Sequence, residues 1–255
     1  MKIKILYEDA NIIAIDKPSG ISVHPAVEQA HYGASPSGKK NKAKQEFITD
    51  WVLENYPRMK NVGESMFLEQ KGKKIEIKRP GVVHRLDRDT SGVMLLARNQ
   101  KAYEFLKNQF QAREVKKIYN AIVNGWLKDE RGVIHKPIGR SPSDFRKYSA
   151  SRGARGEMRE AITRYKVLKR WGTGLRKFTY LELFPKTGRT HQIRVHMKAI
   201  DHPIVCDSLY NPKGPCPKDI KRMGLHATSI EFKDLKGKIV KIGSPLPLIF
   251  RKVVK

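Results

Sequence analysis

Acidic residues are scarce in this chain of 255 amino acids, with 25 Asp and Glu against 52 Lys and Arg. Cysteine is scarcer: Cys206 and Cys216 are too few for a disulfide scaffold, and we expect them to be ordinary packing or surface residues. No run of ~20 apolar residues exists, which excludes a membrane-spanning helix. Glu8 and Asp9 fall where a secretion signal would continue its apolar stretch, so secretion is not expected.

The excess of positive charge is the first indication of function. The formal net charge is +27 and the isoelectric point is about 10.1. Self-repulsion of this size destabilises a compact fold unless a polyanion offsets it. A nucleic acid is therefore the expected partner. A heat-adapted surface is the alternative, but heat adaptation normally enriches charges of both signs.

Strand-like and helix-like segments are interleaved along the chain without strict alternation. Apolar residues at helical spacing predict helices in three places: 47–53, 101–112 and 190–200. Short apolar runs bounded by turn residues predict strands, of which the first two form a hairpin: 3–7, 12–16, 93–97, 117–123, 161–168 and 179–183. This order favours an α+β fold with a mixed sheet.

Three basic stretches interrupt these elements. Residues 31–44 are expected to be a flexible loop, and residues 69–79 a loop or a short hairpin. Residues 139–160 place arginines among Ser, Gly and Pro, which predicts a mobile basic loop. Its arginines are Arg140, Arg146, Arg152, Arg155 and Arg159.

Two patterns imitate cofactor sites. Residues 33–39 have the glycine and lysine spacing of a phosphate-binding loop, but Lys40 stands where that loop needs Ser or Thr. His191 and His196 are five residues apart, which separates them by about 140° on a helix and does not suit a zinc pair. The sequence therefore predicts neither a metal site nor a nucleotide cofactor.

The most specific segment is His84–Gly92, with the sequence HRLDRDTSG. In it, Asp87 lies between Arg85 and Arg88, in a loop that leads directly into the predicted buried strand at 93–97. A carboxylate in such a loop often only caps a turn. The position beside a core strand makes Asp87 a candidate for chemistry as well.

A second segment, Thr187–His196, has the sequence TGRTHQIRVH. Its glycine permits a tight turn, and Arg189 and Arg194 then lie at the start of a predicted helix. Two positive side chains beside a helix N-terminus suit an anion such as a phosphate or a carboxylate. An exposed basic helix is an equally good interpretation of the composition.

Together these segments resemble the RluA family of pseudouridine synthases, whose members carry the motifs HRLDxxTSG and TGRxHQIRxH. The family's opening signature resembles residues 11–25, and its closing elements resemble parts of 202–247, so the resemblance runs from about residue 3 to residue 250. It implies an α+β pseudouridine synthase fold: a mixed, largely antiparallel central sheet with flanking helices and a central cleft. Many relatives add an N-terminal S4 RNA-binding domain. We expect residues 1–255 to form a single catalytic domain without one.

The resemblance implies isomerisation of uridine within RNA, without a metal or a cofactor. The N1–C1′ bond breaks, the uracil turns while bound, and C5 bonds to C1′. The catalytic carboxylate would be Asp87, as a nucleophile or as a base on the sugar. Arg194 would pair with Asp87 and keep it ionised. Tyr119 would stack on the uracil, with a weaker case for its hydroxyl in removing the C5 proton.

The target uridine must leave its stack to reach such a carboxylate. We expect Arg85 to fill the vacated space or to brace the phosphate. The other expected substrate-binding residues are His84, Arg88, Thr90, Lys117, Arg189, His191, Gln192 and Leu225.

Large-subunit ribosomal RNA is the favoured substrate, and transfer RNA is the second candidate. Two other functions remain open: a non-catalytic RNA-binding or ribosome-assembly protein on the same fold, and a hydrolase that excises uracil. The expected protein is a cytoplasmic monomer with no membrane association and no obligate protein partner.

Overall fold

The computed structural model describes residues 1–25, 46–70, 73–151, 153–218 and 220–254. The basic stretch 31–44, the imitation of a phosphate-binding loop within it, and Arg152 lie outside the described residues. No helix in the described ranges is long and apolar enough to cross a membrane.

The strands of the described residues are β1 (Lys4–Glu8), β2 (Ile12–Lys17), β3 (Met66–Gln70), β4 (Lys73–Ile77), β5 (Ser91–Ala97), β6 (Lys116–Asn124), β7 (Arg131–His135), β8 (Ile138–Arg140), β9 (Tyr148–Ser149), β10 (Arg155–Arg159), β11 (Ile162–Trp171), β12 (Phe178–Pro185), β13 (Leu225–Lys233) and β14 (Ile239–Gly243). A nine-stranded sheet dominates the described part of the chain, in the order β1-β2-β5-β13-β6-β12-β11-β7, with β14 beside β13. Its pairs are antiparallel except β5 and β13, which run parallel at the centre.

Helices flank this sheet, and three of them lie where the apolar spacing predicts helices: α1 (Ile48–Asn55), α2 (Gln100–Gln111) and α3 (Gln192–Ala199). Helix α4 (Leu248–Val254) and the short 3₁₀ helix at Pro57–Met59 are not among the helices predicted from the sequence. Asn99 directly precedes helix α2, and its side chain caps the helix by accepting a hydrogen bond from the Ala102 N–H. Helix α3 is buried along residues 192–197, which holds the second motif rigidly against the sheet.

The parallel contact between β5 and β13 depends on Gly92. Its φ of +117° is a conformation that side-chain-bearing residues rarely adopt. A Cβ atom there would lie 2.1 Å from the carbonyl oxygen of Ala227 on β13. The glycine that ends the first motif therefore lets the two central strands meet directly after the Asp87 loop.

The expectation of a mobile loop at residues 139–160 is wrong. There, β8, β9 and β10 form a three-stranded antiparallel sheet. Buried Ile138 and Ala161 anchor its ends by packing with Val195 and Tyr210. The stretch 69–79 contributes to the β3–β4 hairpin, which agrees with one of its two predicted forms.

The cysteines are not separate packing residues. Cys206 and Cys216 form a disulfide bond, with their Cα atoms 5.4 Å apart. The chain reverses between them through turns that begin at Asp207, which brings the two side chains together. This single bond closes a small loop beside the second motif and does not form a disulfide scaffold.

Candidate active site

A cavity of about 520 Å³ opens at the centre of the nine-stranded sheet. Its walls come from the loop before β5, from β6, from the turn between β12 and α3, and from the start of β13. The predicted site residues that line it are His84, Arg85, Asp87, Thr90, Lys117, Tyr119, Arg189, His191, Gln192, Arg194 and Leu225. The two motifs, about a hundred residues apart in sequence, thus meet in one place.

Arg88 is the predicted site residue that does not line this cavity. Its side-chain Nε donates a hydrogen bond to the carbonyl oxygen of Gly20, at 3.0 Å. Its own carbonyl accepts hydrogen bonds from the Gly20 N–H and from Nζ of the fully buried Lys17. Arg88 therefore ties the Asp87 loop to the turn after β2.

The carboxylate of Asp87 is held by Arg194. Nη1 of Arg194 donates to Oδ2 of Asp87 at 3.2 Å. Burial alone would raise the pKa of Asp87, but the charge that His191 carries when it is protonated in acid, together with the permanent charge of Arg194, outweighs burial and keeps that pKa below its ordinary value. Asp87 is therefore ionised at neutral pH.

Arg194 is anchored on its other side by Asp207, which is fully buried. Nε and Nη2 of Arg194 donate to the two carboxylate oxygens of Asp207, at 2.7 and 2.8 Å. The Asp207 carboxylate also accepts the backbone N–H groups of Leu209 and Tyr210. This bidentate geometry fixes the guanidinium plane that faces Asp87.

His191 approaches the second oxygen of Asp87. Its Nε2 lies 4.0 Å from Oδ1 of Asp87, and its Nδ1 lies 3.0 Å from the hydroxyl of Tyr210. Burial lowers the pKa of His191, although the nearby Asp87 opposes that shift. The imidazole is therefore neutral at neutral pH.

Tyr119 and Lys117 reach the cavity from β6. Burial, with a contribution from the charge of Asp87, raises the pKa of Tyr119 well above its ordinary value, so the phenol stays protonated. Burial also lowers the pKa of Lys117 to about 8. Both side chains face the cavity because residues two apart on a strand point to the same side.

His84 and Gln192 shape the cavity walls. The ring of His84 stacks on Phe110 with centroids 4.7 Å apart, and its Nε2 accepts the N–H of Leu95 at 2.9 Å. The amide oxygen of Gln192 accepts the hydroxyl of Thr187 and the N–H of Arg189, which closes the turn before α3. Both predicted substrate-binding residues therefore also hold the backbone of their motifs.

A second, basic cavity of about 440 Å³ adjoins the first and shares Gly188 and Arg189 with it. The small sheet supplies its other charged lining: the exposed Arg140, Arg155 and Arg159, and one carboxylate, Glu157. Among the described residues, no group of three or more His, Cys, Asp and Glu side chains could hold a metal ion.

Sequence reasoning missed Asp207 and Tyr210 as site residues. Both fall within segments that resemble the family's closing elements, which was the available signal. Their roles depend on contacts with Arg194 and His191, and the spacing along the chain does not reveal such contacts.

Comparison with known proteins agrees with this geometry. A family model described as RNA pseudouridylate synthase matches residues 11–199. The ribosomal large subunit pseudouridine synthase D of Borreliella burgdorferi is 36% identical over 249 residues, which cover 97% of this chain and 66% of that protein. An uncharacterized RNA pseudouridine synthase of Synechocystis is 33% identical over 251 residues, covering 98% and 67%. The chain spans about two thirds of the length of these relatives.

Solved structures give the same result. Human RNA pseudouridylate synthase domain containing 4 superposes with a TM-score of 0.67 at 27% identity, over 97% of this chain and 90% of that one. The α+β fold with its mixed, largely antiparallel sheet is therefore confirmed. The chain belongs to the RluA family of RNA pseudouridine synthases, isomerases that convert uridine in RNA to pseudouridine.

Proposed function

We propose that this chain binds a flipped uridine of RNA in the central cavity and isomerises it to pseudouridine, with residues 1–255 acting as one catalytic domain. The observation that carries the proposal is the carboxylate of Asp87, ionised and held at one oxygen by Arg194 inside a cavity that also contains Tyr119. An ionised carboxylate in this setting suits attack on a sugar carbon or removal of a sugar proton.

Atoms balance in this isomerisation. The N1–C1′ bond breaks and the C5–C1′ bond forms, while C5 loses a proton and N1 gains one. Nothing is oxidised and no group leaves, so no cofactor enters the balance. Both routes open to Asp87, as a nucleophile at C1′ or as a base, start from the ionised carboxylate that Arg194 stabilises.

For Tyr119 we propose stacking on the uracil ring rather than proton removal. Its raised pKa keeps the phenol protonated, so its oxygen is a poor acceptor for the C5 proton unless its own proton first moves elsewhere. The flat ring of Tyr119 beside the carboxylate supports the uracil while the uracil turns.

The RNA backbone would lie across the basic cavity and past Arg85. Arg85 is exposed and lines the active-site cavity, which suits a side chain that fills the place of a flipped base. The arginines of the small sheet, Arg140, Arg155 and Arg159, suit phosphate contacts. Such contacts give affinity that depends on salt and carries little sequence information.

Large-subunit ribosomal RNA is the substrate that we propose, and this would place the protein in the cytoplasm. Its support is that several relatives at 30–36% identity are named ribosomal large subunit pseudouridine synthase D. Transfer RNA is the second candidate, because this geometry recognises a flipped uridine in either RNA.

Release of tritium tests the reaction directly. RNA transcribed with uridine labelled with ³H at C5 is incubated with the purified chain, separately for large-subunit ribosomal RNA and transfer RNA. We expect tritium in water, no free uracil, and no release by Asp87→Asn.

Two results would overturn the proposal. Free uracil in the supernatant would identify a hydrolase. RNA binding without tritium release from either RNA would identify a non-catalytic RNA-binding protein.

A further inference from the structure

We propose that His191 is a positioning residue for the reaction, presenting its Nε2–H to Oδ1 of Asp87 while Arg194 holds Oδ2. The inference rests on the role of Asp87 proposed above. Among the described residues, the Asp87 carboxylate has one hydrogen bond to a side chain, which Arg194 donates to Oδ2. The other oxygen, Oδ1, faces Nε2 of His191 at 4.0 Å.

The hydroxyl of Tyr210 determines which ring nitrogen of His191 carries the proton. That hydroxyl accepts the backbone N–H of Tyr148 at 2.9 Å and lies 3.0 Å from Nδ1 of His191. Because the phenol oxygen already accepts this N–H and has one proton of its own to give, we assign that proton to Nδ1 of His191. A neutral imidazole that accepts at Nδ1 carries its own proton on Nε2, the nitrogen that faces Asp87.

The backbone at His191 gives independent support. Its φ is +55°, in the left-handed region that costs free energy for a residue with a side chain. The side chain caps no N–H of helix α3, so helix capping does not explain this conformation. The conformation places the ring between Tyr210 and Asp87. Strained backbone of this kind is concentrated at functional positions.

One carboxylate organises both contacts to Asp87. Asp207 binds the guanidinium of Arg194, and it also accepts the backbone N–H of Tyr210. Through Arg194 it fixes the donor at Oδ2, and through the backbone N–H of Tyr210 it helps to hold the residue whose hydroxyl faces His191. The catalytic carboxylate is thus oriented from two sides by one buried group. Hydrogen bonds in sites without substrate are often long and tighten when substrate binds.

A measurement that does not depend on activity tests the assignment of the proton. In protein labelled with ¹⁵N-histidine, two-bond ¹H–¹⁵N correlations distinguish the two neutral forms, and His191→Gln identifies the signal of His191. We expect the Nε2–H form in the wild type and a mixture of both forms in Tyr210→Phe. The Nδ1–H form in the wild type, or an unchanged form in Tyr210→Phe, would overturn the proposal.

Single-turnover kinetics on RNA test the role in the reaction. We expect His191→Phe to slow the chemical step about tenfold, the value of one charge-assisted hydrogen bond, with RNA affinity within about twofold. His191→Gln should recover part of the rate, because its amide N–H stands close to the position of Nε2. Tyr210→Phe should slow the wild type but add nothing in the His191→Phe background.

Tyr165→Phe is the matched control, since it removes a hydroxyl from a tyrosine on β11 that does not line the active-site cavity. It should leave the rate unchanged. A wild-type rate in His191→Phe, or an equal cost of Tyr210→Phe in both backgrounds, would overturn the inference. Neither result would affect the proposed reaction, which fails if the wild type releases free uracil or releases no tritium from either RNA.

Discussion

At the scale of single residues, the buried pair of Arg194 and Asp207 determines whether the site can form. Both side chains are almost completely buried, and their two hydrogen bonds are 2.7 and 2.8 Å long. Asp207→Asn keeps the size of the side chain but removes one of the two carboxylates that compensate the charge of Arg194, so that only Asp87 remains. We expect a loss of about 3 kcal/mol in the free energy of unfolding, measured by urea denaturation.

Glu157→Gln is the control for this change. Glu157 also pairs with an arginine, Arg159, but both side chains are mostly exposed to solvent. Exposed pairs contribute little to stability. If the two variants were equally stable, the buried pair would not be the anchor of the site.

Buried histidines make stability depend on pH. Burial lowers the pKa of His226 to about 4 and that of His84 to about 3, against about 6.5 in the unfolded chain. As pH falls below about 6.5, the unfolded chain binds protons that the folded one does not, so the free energy of unfolding falls until about pH 3–4. His84→Gln, whose amide oxygen can accept the Leu95 N–H, should weaken this dependence in urea titrations between pH 7 and pH 4.

A dependence on pH as steep in His84→Gln as in the wild type would contradict this account. The case of His84 also shows what the sequence could not reveal. The motif predicts a residue of the cavity, and His84 lies there. Its bond to the Leu95 N–H and its stacking on Phe110 join residues 11 and 26 positions away, which no local pattern indicates.

At the scale of elements, Gly92 permits the parallel contact of β5 and β13. Gly92→Ala would place a Cβ atom against backbone that cannot move easily, and at a positive φ. Gly237→Ala shares the positive φ but meets open space, so it serves as the control. We expect Gly92→Ala to cost about 1–3 kcal/mol more than Gly237→Ala in urea denaturation. Equal losses would show that backbone strain alone matters at Gly92.

Elements with strong periodicity could be predicted from the sequence, and weak ones could not. Strand β5 is a continuous apolar run and helix α2 has a clear apolar face, and both lie where the pattern places them. Strands β8, β9 and β10 are two to five residues long, and β10 is exposed along its whole length. They depend on packing against α3 and Tyr210, so the sequence around them looks like a loop.

At the scale of the whole molecule, the net charge of +27 predicts RNA binding that weakens with salt. Replacing both Arg155 and Arg159 by Gln should lower the slope of log affinity against log salt by about 1.4, or 0.7 for each phosphate contact to single-stranded RNA. The affinity is measured by titration at several salt concentrations.

Replacing Lys236 and Lys238 by Gln removes the same charge elsewhere. These lysines lie in the turn after β13. The first residue of that strand, Leu225, lines the active-site cavity at the opposite end. A nine-residue strand spans roughly 27 Å, so this turn is far from the site. An equal change of slope in both double variants would contradict a localised RNA-binding surface.

Mapping of pseudouridine in total RNA tests the central claim most directly. The comparison includes cells with the wild-type protein, cells without it, and cells with Asp87→Asn, whose stability is checked in parallel by urea denaturation. We predict that at least one pseudouridine, in large-subunit ribosomal RNA, is present in the first and absent from the other two. An identical map in all three, with the purified protein still binding RNA, would contradict a catalytic role for Asp87.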